Sequence, residues 1–86
     1  MKIIVKKPTE AEKQAMLKQP VWSCEASEFD WFYESEETCL ITEGEGIVEY
    51  NGGSVNIGEG DYVVFPEGLS CIWKVKKAVR KHYIFR

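Results

Sequence analysis

The sequence predicts an all-β protein, an antiparallel barrel or sandwich preceded by one short helix. Turn signals recur at short intervals after residue 21: a polar stretch from Glu34 to Glu37, then EGEG at 43–46, NGG at 51–53, GEG at 58–60 and PEG at 66–68. Closely spaced strands with Gly and Pro turns are the signature of such folds. Asn51-Gly52, between GIVEY and SVNI, is the strongest hairpin signal, because both central residues of a type I′ turn need positive φ. The hydrophobic period changes to a helical one only in PTEAEKQAMLKQP.

The elements follow in order. KIIVK at 2–6 is a short β-branched strand ended by Pro8. Thr9 with Glu12 three residues on forms a capping box, and Pro20 closes the segment. The helix is expected to bury Ala11, Ala15 and Met16; capping accounts for Thr9 and Glu12. From Val21 onward strands dominate, and alternation sorts their side chains by face. In LSCIWKV, Lys74 is the residue most costly to bury, so Cys71, Trp73 and Val75 point inward. In ETCLITE the matching set is Glu37, Cys39 and Ile41. In the final strand, VRKHYIF, it is Val79, Lys81, Tyr83 and Phe85, since Arg80, His82 and Ile84 make a poor core.

Composition narrows the function. An 86-residue chain buries only roughly 60–65% of its unfolded surface, so it is read as one domain, with strand and helix in 1–20 and the barrel in 21–86. Three Trp, four Tyr and four Phe supply enough apolar area for a core without a cofactor. A net charge of −3 disfavours nucleic acid, which calls for a dominant basic patch. The basic residues Lys74, Lys76, Lys77, Arg80, Lys81 and Arg86 cluster late, and are expected to form a solvated edge. Ile3 to Val5 is too short for a signal h-region, and no segment reaches the roughly 20 apolar residues of a membrane span. The expectation is a soluble, cytoplasmic protein. Cys24, Cys39 and Cys71 are odd in number and lack C-x-x-C spacing, so reduced thiols are expected.

At the turns and strands the chain resembles the cupin superfamily, small jelly-roll β-barrels. The second cupin motif, G-x5-P-x-G-x2-H-x3-N, is matched by Gly60, Pro66 and Gly68, but Cys71 stands at its histidine and Val75 at its asparagine. Of the first motif, G-x5-H-x-H-x3,4-E-x6-G, Glu37 and Gly44 match the final pair. The histidines fall on Trp31 and Tyr33, or on Asp30 and Phe32 at the longer spacing. SEFDWFYESEETCLITEG, GDYVVFPEGLSCIWKV and VRKHYIF, taken together, are similar to the small single-domain cupins of the ureidoglycine aminohydrolase-like branch. That branch takes its name from a larger, manganese-dependent enzyme of two cupin domains, whose metal-binding residues are not reproduced here. The resemblance implies a single-domain cupin jelly roll.

The residues carrying a function follow from these faces. The cupin metal site needs imidazoles beside its carboxylate; Glu37 alone survives, so no cofactor is expected. The alternative is a divalent metal held by Glu37 and Cys71 with help from Cys39, one ligand short of the usual structural zinc set. An inward carboxylate must be paired, and Lys81 is the inward cation. The sequence therefore predicts a Glu37–Lys81 ion pair walled by Trp31, Tyr33 and Trp73. With Cys39, Cys71 and Tyr83 these residues compose a pocket for a small polar molecule. Glu37, Cys71 and Lys81 are the catalytic candidates of an enzymatic alternative, in which Cys71 needs a thiol pKa lowered by Lys81. A third reading is a structural module in which two copies pair through an edge strand or the amino-terminal arm.

Overall fold

A computed structural model describes residues 1–86. The elements are β1 (Ile4–Lys6), α1 (Glu10–Met16), β2 (Val21–Cys24), β3 (Ser27–Phe32), β4 (Glu37–Tyr50), β5 (Gly53–Gly58), β6 (Tyr62–Phe65) and β7 (Ser70–Phe85). Every strand pairing is antiparallel. The order is β1-β6-β4-β7-β2, with β5 added to β4 and β3 added to β7.

Two long strands organise this rolled sheet. The first part of β4, Glu37 to Leu40, pairs with β6, and its last part, Glu45 to Tyr50, pairs with β5. Likewise β7 gives residues 70–75 to β3 and 79–82 to β2. Between these halves the β4–β7 ladder slips register three times, from Ile41 to Gly46, and bulges of this kind bend a strand so that one ribbon can serve both walls. EGEG at 43–46 is therefore not the turn its composition suggests but a bend inside β4. LSCIWKV and VRKHYIF are likewise one continuous strand. Gly44 shows why glycine stands at the bend: its φ is +89°, and a Cβ there would lie 2.1 Å from the Ala78 carbonyl oxygen.

The remaining turns follow local chemistry. Asn51 and Gly52 both have positive φ, 47° and 74°, as the β4–β5 hairpin requires. The Thr9–Glu12 capping box forms, with Glu12 N–H donating to Thr9 Oγ1 at 3.1 Å and Thr9 N–H to Glu12 Oε1 at 2.9 Å. Of the expected helix core only Met16 is buried; Ala11 and Ala15 are exposed. The seven-residue helix touches the sheet through its last turn, where Met16 packs on Leu40 and Tyr62. This second cluster also buries the outward face of β4, so Thr38 and Leu40 are as enclosed as their inward neighbours.

The main core contains Tyr33, Phe65, Leu69, Trp73, Ile41, Val48, Val63 and Val79. Cys39, Cys71 and Val75 are buried with it, as alternation predicts. The basic run does not form an edge: β7 is a central strand, flanked by β4 and by β2 and β3. Lys76, Lys77 and Arg80 are exposed on it, and Lys74 pairs with Glu49 at 2.9 Å. No helix is long and apolar enough to cross a membrane.

Candidate functional site

Glu37 opens β4 directly opposite Phe85, whereas Lys81 sits four residues earlier on β7, opposite Ile41. Their side chains lean toward one another along the same inward face, and Lys81 Nζ donates to Glu37 Oε2 at 2.5 Å. The two side chains are 7% and 4% exposed, so the expected interior ion pair is present and almost fully enclosed. Aromatic rings complete the surroundings of the ammonium. It lies 5.0 Å from the Trp22 ring centroid, 4.9 Å from Trp73 and 5.7 Å from Phe65, within the range of cation–π attraction.

Tyr33 is placed by backbone hydrogen bonds to the turn at 66–69: its N–H donates to Leu69 O, and its carbonyl accepts from Gly68 N–H. Its ring stacks on Phe65 with centroids 4.7 Å apart, and its hydroxyl accepts the Trp73 Nε1–H at 3.1 Å. Burial pushes the phenol pKa well up, and the neighbouring Glu37 charge adds to the effect. Tyr33 is thus a neutral, fixed wall.

Above the ion pair lies a cavity of about 220 Å³. Of the pocket residues expected from sequence, Trp31, Tyr33, Glu37, Trp73, Lys81 and Tyr83 line it; Trp22, Phe29 and Phe85 complete it. Alternation holds the signal for two of the omitted three, since Phe29 is two residues from Trp31 and Phe85 two from Tyr83. Trp22 is two from Cys24, but nothing in VWSC marks the inward face.

The cysteines do not line this cavity. Cys39 is fully buried in the main core, and Cys71 borders a broader depression on the side of Phe32, Glu49 and the Asn51–Gly53 turn. Burial pushes the Cys71 thiol up to about 11 and Cys39 to about 12, outweighing the opposing charge of Lys81. This reverses the expectation that Lys81 activates Cys71: the thiol is protonated at neutral pH, and Sγ approaches Trp31 O at 3.7 Å.

The donors of a cupin metal site are not assembled. No three His, Cys, Asp or Glu side chains converge. The carboxylate at the motif's glutamate position already holds an ammonium, and neither candidate thiol lines the cavity with it. His82 places Nδ1 2.8 Å from Gln19 O, away from the cavity. These residues do not fit a resident transition metal, which needs several donors converging on one point.

An antiparallel barrel with a Gly60–Pro66–Gly68 turn and Glu37 on its inner face has the pattern of a cupin. The chain belongs to the EutQ-like cupin domain family, whose model matches residues 11–83. It is 43% identical to a DUF861-family protein from Thermotoga maritima, over 99% of this chain and 100% of that one, with a TM-score of 0.93. An EutQ-type ethanolamine utilization protein from Salmonella typhimurium is 25% identical, with a TM-score of 0.70 over 76% of this chain and 53% of that one. The Clostridium difficile EutQ protein shares the fold at 21% identity and a TM-score of 0.68, over 73% of this chain and 50% of that one. The chain thus spans about half the length of these two EutQ proteins. No curated protein sequence matches it significantly.

Proposed function

We propose that this cupin binds a small molecule in the aromatic cavity above Glu37 and Lys81, and that it does so without a resident metal. One observation carries the reading. A buried ion pair is weak support for stability, because apolar residues of similar volume often serve as well or better; here the pair forms the floor of an open, aromatic-walled cavity. Only one Glu37 oxygen is used by the protein. Since no buried side-chain oxygen lacks a partner, Oε1 is the atom left accessible. A cavity of this size takes a compact ligand, below the roughly 300–1,000 Å³ of drug-sized sites.

Membership of the ureidoglycine aminohydrolase-like branch is the finer reading, supported by the segments SEFDWFYESEETCLITEG, GDYVVFPEGLSCIWKV and VRKHYIF taken together. Under it, the free Glu37 oxygen is the proton acceptor and Lys81 the proton donor of a metal-independent reaction; Cys71, away from the cavity, takes no part.

All three tryptophans, Trp22, Trp31 and Trp73, line the cavity, so intrinsic fluorescence and indole N–H resonances report directly on it. A fragment screen read by both signals is expected to find ligands that shift Trp22 and Trp73 together, and Phe29→Ala should weaken them. A screen in which no fragment moves either indole would remove the proposal.

A further inference from the structure

Resting on that binding reading, we infer that the cavity selects neutral, planar molecules that present an N–H donor beside an acceptor, the carboxamide type, and rejects both anions and cations. The floor is internally neutralised, one carboxylate against one ammonium at 2.5 Å, so a charged ligand brings an uncompensated charge into a largely apolar chamber. Two of the ring faces that would welcome an external cation are already filled, those nearest the Glu37 carboxylate's partner. Lys81 Nζ sits 4.9–5.0 Å from Trp73 and Trp22, leaving those faces no second cation to hold.

What remains is a pair of complementary hydrogen-bonding groups. Glu37 Oε1 is accessible and can only accept, while Lys81 has two N–H groups beyond the one given to Oε2. An amide N–H meets the first and its carbonyl the second, side by side. The rest of the lining is seven hydrophobic residues, every one of them aromatic, whose ring faces and edges suit a flat, apolar ligand body.

Benzamide, benzoate and benzamidine, nearly isosteric and differing in charge, test this on the wild-type protein. Titrations are followed by tryptophan fluorescence and indole N–H shifts near neutral pH. Benzamide is expected to bind about tenfold or more tightly than either charged analogue. In Lys81→Met, which leaves the carboxylate alone, preference should move to benzamidine; in Glu37→Gln it should move to benzoate. Should either variant fail to fold, the wild-type ranking decides alone. Benzoate or benzamidine matching benzamide overturns the ligand class while leaving the cavity as a binding site. The ligand class is overturned in the same way if the trio leaves the indoles unmoved while other fragments shift them. If no fragment of any charge does so, both readings fall.

Discussion

Glu37 and Lys81 are each other's charged partner in the interior. Removing one partner strands the other charge where both side chains are almost fully enclosed, so Lys81→Met or Glu37→Gln should each cost about 3–5 kcal/mol. Replacing both removes the charges together and should cost much less than the sum of the singles. Urea denaturation of the four proteins measures this coupling, and additive losses would show that the charges do not depend on one another. Tyr33 makes a smaller, separable contribution. Tyr33→Phe deprives the buried Trp73 Nε1–H of its acceptor, a loss of about 1–3 kcal/mol, and the same denaturation series checks it. The ion pair is legible in the sequence because alternation around Lys74 fixes one face, and because an inward carboxylate demands a cation. What the cysteines do is not legible: thiol reactivity depends on the balance of burial and charge around one sulfur, and for Cys71 burial wins.

At the scale of elements, the clearest departure from expectation is the bend inside β4. A bulge and a turn draw on the same residues, so EGEG has the composition of a chain reversal although β4 runs through it. The difference lies in what approaches the backbone from β7, and sequence spacing carries no record of that. Gly44 and Gly52 make the point testable, for both have positive φ, but only Gly44 has backbone within reach of an added Cβ. Gly52→Ala should cost about 1–2 kcal/mol, the strain of a left-handed residue. Gly44→Ala must in addition push Ala78 away and part the ladder that joins the two walls, so its thermal midpoint should fall far below that of Gly52→Ala. Equal midpoints would mean that the bend is not held by this contact. The helix N-terminus is legible because a capping box is local in sequence, and Thr9→Ala should cost about 1 kcal/mol in chemical denaturation. Its buried face is not, because a single turn docks on the sheet, and only packing against Leu40 and Tyr62 decides which one.

For the whole molecule, the two walls close over groups whose titration the fold holds back, and this sets an alkaline limit on stability. Cys39 and Cys71 move from an ordinary 9.0 to about 12 and about 11, and Tyr33 also moves upward from 10.0. Each keeps its proton longer in the folded chain than in the unfolded one. Between the unfolded and folded values the native state therefore binds more protons, and stability falls as pH rises. The contribution of the thiols is fully present below pH 9 and is lost as pH climbs through 11 to 12, at no more than about 1.4 kcal/mol per pH unit for each. Urea midpoints taken from neutral pH upward should run level until about the unfolded thiol value and then decline. Cys39→Ala combined with Cys71→Ala lowers stability at neutral pH by opening small voids, but the informative quantity is the slope. Its alkaline decline should be shallower than that of the wild type, leaving the part owed to Tyr33. Parallel declines would mean that the thiols ionise as freely in the folded barrel as outside it, and the closed core around Glu37 and Lys81 would then be far wetter than their burial implies.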